Sequence, residues 1–143
     1  MTRTNNVNIT FAINNKPSTE EFINVLVAST LAERRPVEDQ ACVEGMLENA
    51  NLIVTARREN KLIGIARSMT DFHYACYLSD IAVDLEYQKI GIGKQLITRT
   101  QQQLGPRCKL ILLSAPDATD YYPKIGFSHH PHAWLLNGNQ QRK

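Results

Sequence analysis

Two glycines at the start of a predicted helix form the clearest candidate ligand-binding motif in the sequence. Gly91 and Gly93 lie in residues 88–93, Gln-Lys-Ile-Gly-Ile-Gly, after a predicted strand, and Lys89 and Lys94 add positive charge. A helix start has unpaired N–H groups and about half a positive charge, and glycine lets a ligand approach the backbone, so a diphosphate suits this turn. A tight turn that binds nothing has the same pattern. The third glycine of a dinucleotide motif and the Gly-Lys-Ser/Thr of a P-loop are missing, which excludes those two classes.

A second motif further along the chain narrows the chemistry. Residues 121–127 read Tyr-Tyr-Pro-Lys-Ile-Gly-Phe. The pattern Gln-x-x-Gly-x-Gly, after a strand that ends at Val83, resembles the pyrophosphate motif of the GCN5-related N-acetyltransferases (the GNAT family). Residues 121–127 resemble that family's aromatic-Tyr-x-Lys-x-Gly-Phe segment. Two motifs in the right order are more specific than one, and the order of the predicted elements extends the resemblance over nearly the whole chain.

The resemblance implies an activity and a cosubstrate site. It predicts an acetyl-CoA-dependent N-acetyltransferase that moves an acetyl group directly to a primary amine of a small molecule or peptide in a ternary complex. A noncatalytic acyl-CoA-binding or regulatory domain is the alternative, and acylation of a hydroxyl is a third possibility. The pantetheine arm would bind along Ile81, Ala82 and Val83, which otherwise read as ordinary strand core. The pyrophosphate would bind the backbone of Gln88, Lys89, Ile90, Gly91, Ile92, Gly93 and Lys94.

Tyr122 is the predicted general acid. When a thioester is converted to an amide, the departing thiolate leaves more easily if a donor protonates it, and a phenol with a pKa of ~10 can do so. The resemblance implies that the second aromatic residue of the downstream motif is this donor. Tyr122 also fits a purely structural role, packing on the cosubstrate, and that reading is stronger for Tyr121.

Three aspartates are weaker candidates. Asp80 is the strand carboxylate nearest the motif and is the candidate general base, although a water chain serves equally well and the side chain could satisfy a local hydrogen bond. The family often has Asn where this chain has Ala115, so Ser114 or Asp117 would replace that contact to the cosubstrate. Asp71 could bind a cationic acceptor, but turn chemistry is the commoner reason for Asp at such a position.

The elements that position these residues follow from the hydrophobic periodicity. Apolar runs around a charged turn predict an antiparallel meander, and Ser18 with Glu21 predicts a capped helix start. The fold class is therefore α/β (α+β), a GNAT-like mixed, mostly antiparallel central sheet flanked by helices, in a single domain over residues 1–143. The predicted strands are 9–13, 52–56, 62–66, 75–83, a doubly buried 110–113 and a last strand or strands within 127–136. The predicted helices are 18–36, 37–49, 91–104 and 117–124.

Composition limits the partners and the compartment. The 143 residues carry a formal charge of +2, which is too small to indicate nucleic acid as a partner, and no run is long enough for a membrane span. The three cysteines form no paired motif, so the reduced cytoplasm is expected, without a structural zinc. His129, His130 and His132 flank Pro131 on a predicted strand and are not expected to bind metal. Trp134 is expected in the core or in the acceptor wall, the Arg34–Arg35 pair in a solvated loop, and a homodimer is possible by resemblance.

Overall fold

The computed structural model describes residues 8–140 of the chain. Within these residues, five strands and four α-helices follow one another, with short 3-10 turns between some of them. The strands are β1 (Ile9–Ile13), β2 (Leu52–Arg58), β3 (Lys61–Thr70), β4 (Ala75–Val83) and β5 (Lys109–Ile111). The helices are α1 (Thr19–Ala28), α2 (Gln40–Glu48), α3 (Ile92–Gln102) and α4 (Tyr121–Lys124).

The five strands form one sheet in the order of the sequence. β1 to β4 are antiparallel neighbours, and β5 lies parallel to β4 after the crossover through α3. The predicted meander and the mixed, mostly antiparallel sheet are confirmed. A register shift in the β3–β4 pairing leaves Ser79 as an extra residue between Leu78 and Asp80, which is a β-bulge.

Local signals determine where the first two helices begin. Ser18 and Glu21 form the predicted capping box at α1, and the Asp39 carboxylate accepts the N–H of Cys42 at α2. The prediction of one helix up to Pro36 was wrong. The chain leaves α1 at Ser29, and Thr30 has a φ of 72°, a left-handed conformation that ends a helix.

Helices cover both faces of the sheet. Phe22, Val25 and Leu26 of α1 and Val43 of α2 pack in one core cluster with strand residues that include Ile65. Side chains alternate along a strand, so Gly64 faces the other way, and a Cβ placed there would lie 3.2 Å from Leu96 and 3.3 Å from Ile92. The missing side chain at Gly64 lets α3 approach β3.

The C-terminal part of the prediction was wrong in three respects. The run 110–113 is not buried on both faces, because Ile111 is 48% and Leu113 53% exposed. Within residues 8–140, the segment 127–136 forms no strand, and Pro131, which lacks an N–H donor, interrupts it. Trp134 is 93% exposed, so it is not a core residue, and its place in the acceptor wall stays a prediction.

The chain divides into two compact units, residues up to 113 and residues from 114 onward. The first contains the sheet, α1 to α3 and the glycine turn. The second contains α4 with Tyr122. In the described residues, no helix has the length and apolar character needed to cross a bilayer.

Candidate functional site

The glycine turn is held at the carboxyl end of β4 by its own polar groups. The N–H of Asp84 donates to the carbonyl of Ile63 at 2.8 Å, and its carboxylate accepts the N–H of Glu86 at 2.9 Å, which starts a 3-10 turn. The Gln88 amide donates back to the carbonyl of Val83 at 2.9 Å. The first residue of the motif therefore ties the turn to the end of the strand.

Two left-handed residues then aim the chain into α3. Lys89 has a φ of 69° and Gly91 a φ of 90°, and Gly91 is the residue that precedes the first helical turn. Glycine adopts this conformation without strain. A Cβ at Gly91 would meet no described atom within 4 Å, so the space beside the backbone is open.

The start of α3 is open to an anion. Within residues 8–140, no side chain caps this helix, and its first turn contains no acidic residue. The N–H groups of Ile92, Gly93 and Lys94 lie in that first turn, and Lys89 and Lys94 are exposed beside it. This arrangement fits a diphosphate.

A cavity of about 420 Å³ adjoins this helix start, between α3 and β1. Lys94 and Arg99 line it, and the guanidinium of Arg99 lies 4.4 Å from the ring centre of Phe11. The lining residues are Ile9, Phe11, Ile90, Gly91, Ile92, Lys94, Gln95 and Arg99. Of the two charged residues in this lining, Lys94 lies at the start of α3 and Arg99 in its last turn.

The second half of β4 has an open edge. β5 pairs with β4 only from Ala75 to Tyr77, so no strand of the described chain lies beside residues 78–83 on that side. Ile81, Ala82 and Val83, the residues predicted to bind pantetheine, lie on this edge. An edge with free backbone groups can accept an extended ligand as a further strand would be accepted. The predicted cosubstrate residues of the first unit thus follow one another along the chain, from the open edge of β4 to the start of α3, whereas Asp117 lies in the second unit.

Asp80, the candidate base, is fully buried and already paired. One carboxylate oxygen accepts from Nε of Arg35 and the other from Nε of Arg67. The prediction of a solvated loop at Arg35 was wrong, because its guanidinium also donates to the carbonyl of Ser79 at 2.8 Å. Asp80 is the one charged residue of β4, and Arg67 is the one charged residue within β3 after Lys61 at its start, which could have suggested this pair. Arg35 lies 45 residues from Asp80 and gave no local signal.

Asp71 is engaged in the turn between β3 and β4. One carboxylate oxygen accepts the N–H groups of His73, Tyr74 and Ala75 at 2.8 to 3.0 Å. These bonds, that of Tyr74 first, lower the pKa of Asp71 to about 2. The geometry is that of an Asx turn, and a role in acceptor binding stays a prediction.

Tyr122 and Asp117 lie in the second unit. Tyr122 is in α4, with its ring centre 5.3 Å from that of Tyr121 and 5.5 Å from that of Phe127. Burial, and then the neighbouring Tyr121, raise the pKa of Tyr122, so its phenol is protonated at neutral pH. Asp117 is exposed in the 3-10 turn Pro116–Ala118. Their roles in catalysis and cosubstrate binding stay predictions.

The described residues contain no group of three or more His, Cys, Asp or Glu side chains that could hold a metal ion. The rings of His130 and His132 pack edge to face, 5.7 Å apart, and the His132 N–H donates to the His130 imidazole. These two histidines therefore contact each other in a tight turn around Pro131.

Solved structures show which known folds resemble this one. A putative acetyltransferase from Deinococcus radiodurans R1 has a TM-score of 0.74 and 19% identity, with 95% of this chain and 93% of that chain covered. An aminoglycoside N-acetyltransferase, AAC(6')-Iy, in complex with CoA has a TM-score of 0.69 and 19% identity, covering 92% and 95%. These similarities concern the fold.

Sequence comparisons show the family. An uncharacterized N-acetyltransferase, ycf52, from Pyropia yezoensis is 28% identical over 104 residues, which are 68% of this chain and 58% of that protein. The chloroplastic GCN5-related N-acetyltransferase 2 of Arabidopsis thaliana is 34% identical over 77 residues, 52% and 30% of the two chains. The chain thus spans between about a third and just over half of these relatives. The family model described as an acetyltransferase (GNAT) domain matches residues 13–137. The chain, with its glycine turn at α3 and its open β4 edge, belongs to the GNAT acetyltransferase family.

Proposed function

We propose that residues 1–143 act as one N-acetyltransferase domain that transfers acetyl from acetyl-CoA directly to a primary amine of a small molecule or peptide. The observation that carries the proposal is the segment in which an open β4 edge is followed by an uncapped start of α3. Its free backbone groups fit an extended amide-containing arm, and its unpaired N–H groups with Lys89 and Lys94 fit a diphosphate. CoA has both groups in this order.

The residues have distinct roles in this proposal. Acetyl-CoA would supply the acyl group as a thioester, which an amine attacks. The backbone of Ile81, Ala82 and Val83 orients the arm, and the turn from Gln88 to Lys94 holds the phosphates. Tyr122 donates its proton to the departing sulfur, which its raised pKa allows at neutral pH. Water takes the proton from the attacking amine, because Asp80 is committed to two arginines.

The acceptor and the compartment remain part of the proposal. The fold neighbour AAC(6')-Iy is named for an aminoglycoside, which carries primary amines, and this supports an amine as acceptor. The three cysteines are free, as expected in a reducing compartment such as the cytoplasm, although the Arabidopsis relative is chloroplastic. A homodimer is the proposed assembly, by resemblance to the family.

The test is a panel of amines with acetyl-CoA, scored by thiol release and by the mass of the product. Tyr122→Phe is expected to lower kcat by about a hundredfold while leaving the Kd of CoA unchanged, because it removes a general acid and keeps the ring. Tyr121→Phe is the matched control and is expected to stay near wild type. Equal thiol release by wild type and Tyr122→Phe would remove the acid assignment. Tight CoA binding without turnover of any amine or hydroxyl acceptor would favour the noncatalytic binding domain.

A further inference from the structure

Asp80, Arg35 and Arg67 form a buried ionic cluster in the first unit, and the proposed function gives this cluster no role. Asp80 has no exposed side-chain surface, Arg67 has 6% and Arg35 has 21%. Two guanidinium groups on one carboxylate leave one positive charge in excess. A buried ionic cluster seldom adds stability over apolar packing of similar volume, so stability alone does not account for this one.

Arg35 and Arg67 each bind both residues of the β4 bulge, Ser79 and Asp80. Arg35 holds Asp80 through its carboxylate and Ser79 through its carbonyl, at 2.8 Å. Arg67 holds the other carboxylate oxygen of Asp80 and the hydroxyl of Ser79, at 3.0 Å. Arg67 also donates to the carbonyl of Met46 in α2, at 2.9 Å. The bulge is therefore fixed from the sheet and from the segment that connects the first two helices.

We call these contacts from Arg35 and Arg67 the clamp on the bulge. The bulge lies directly before the open edge of β4, so the clamp affects the position of that edge. β4 pairs with β5 up to Tyr77, the bulge follows at Ser79, and the unpaired edge continues to Val83. A bulge bends its strand and ends regular pairing. The direction of residues 81–83 thus depends on how firmly Ser79 and Asp80 are held.

We propose that Arg35 is a positioning residue that fixes the β4 bulge, and that Asp80 is the centre of this clamp rather than a general base. The inference rests on the proposed function, because the edge it positions is the one assigned to acetyl-CoA. Arg35 reaches the bulge from the loop before α2, so this contact also ties that loop to the edge. Arg67 supports the same bulge from within the core.

Arg34 provides a matched control for Arg35. Its side chain is exposed, and only its carbonyl takes part in the cluster, as an acceptor from Arg35 at 2.8 Å. Arg34→Gln therefore removes the same charge one residue away and keeps every side-chain contact to the bulge. Arg35→Gln is expected to lower kcat/KM for the acceptor by about ten- to a hundredfold, since misplacing a reacting group by about 1 Å has effects of this size. Arg35→Lys keeps the charge, cannot reach Ser79 and Asp80 together, and is expected to fall between the two.

Two further measurements separate positioning from other roles. For a positioning residue, Asp80→Asn and Arg35→Gln lower kcat/KM equally at every pH and keep the acid limb of the pH profile. Backbone amide exchange in peptides covering residues 78–84 is expected to be about tenfold faster in Arg35→Gln and unchanged in Arg34→Gln. Loss of the acid limb in Asp80→Asn would make Asp80 the base and overturn the inference. Equal exchange and equal rates in the two arginine variants would overturn it as well.

Failure of the proposed function has a different signature. It would appear as a wild-type protein that acetylates no acceptor in the panel. The exchange measurement needs no turnover, so it still decides whether Arg35 holds the bulge.

Discussion

The starts of α1 and α3 solve the same physical problem in opposite ways. Both are helix N-termini with unpaired N–H groups and a partial positive charge. At α1 the chain supplies its own acceptors, Ser18 and Glu21, and Arg57 of β2 binds the same glutamate. At α3 the residue in the capping position is Gly91, and in the described chain no side chain accepts from the first turn.

The difference shows how a helix start becomes a binding site. A capped start such as α1 gains stability, has fewer donors left for a ligand, and repels an anion through the acidic residues of its first turn. An uncapped start forgoes about 1 kcal/mol of stability and keeps its donors for an anion. Lysines at 89 and 94 accompany the second type, and acidic residues at 20 and 21 accompany the first.

The largest effect is expected when an acidic residue is introduced into the first turn of α3, which makes this helix start resemble that of α1. Gly93→Asp is expected to lower the affinity for CoA by about a hundredfold, because a carboxylate in the first turn competes with the diphosphate for the same N–H groups. The fold should tolerate this change, since Asp is favoured at a helix start. Titration calorimetry with CoA, together with a thermal melt, checks both points.

Gln102→Asp is the control, because it places the same acid at the exposed far end of α3. Its affinity for CoA should remain within about twofold of wild type, the effect expected of a screened charge at that distance. Equal affinities for Gly93→Asp and wild type would contradict the assignment of this helix start to the diphosphate.

Alanine at both capping positions gives the next largest effect. Ser18→Ala loses a cap, and Gly91→Ala places a Cβ on a backbone with a φ of 90°, so each is expected to lower the free energy of unfolding by about 1–2 kcal/mol. Only Gly91→Ala should also weaken CoA binding, because it bends the turn that presents the donors. Urea unfolding and calorimetry on the same samples test this. If Ser18→Ala weakened CoA binding equally, the two helix starts would not differ in function.

The sequence reveals these helix starts because their signals are local. Each signal consists of residues within one helical turn of each other, namely Ser18 with Glu21 and Gly91 with Gly93. The turns between the strands of the meander are likewise marked by neighbouring residues. The cluster at Asp80 depends instead on Arg35, which lies 45 residues earlier in the chain, with α2, β2 and β3 between them. The buried character predicted for 110–113 failed for a related reason. An apolar run indicates burial only if something covers it, and Ile111 and Leu113 are about half exposed.

The smallest effect concerns the pH dependence at α1, where the acid belongs to the protein itself. The Arg57 side chain, with Ser18, lowers the pKa of Glu21 from its ordinary value of 4.5 to about 2. A depressed carboxyl pKa stabilises the fold fully above pH 4.5, and this contribution is lost as the pH falls through 2. The Glu21 side chain is 36% exposed, so solvent screening limits the effect to about 1 kcal/mol or less.

The difference in free energy of unfolding between wild type and Glu21→Gln should be constant from neutral pH down to about 5 and then shrink on further acidification. Asp71 titrates in the same window but is present in both proteins, so its contribution cancels in the difference. A difference that stays constant down to pH 3, measured by urea unfolding, would show that Arg57 does not hold the Glu21 carboxylate. Affinity for CoA should be unaffected in Glu21→Gln, because the Glu21 carboxylate binds groups of the protein itself, and the ligand is assigned to the start of α3, which has no acidic residue.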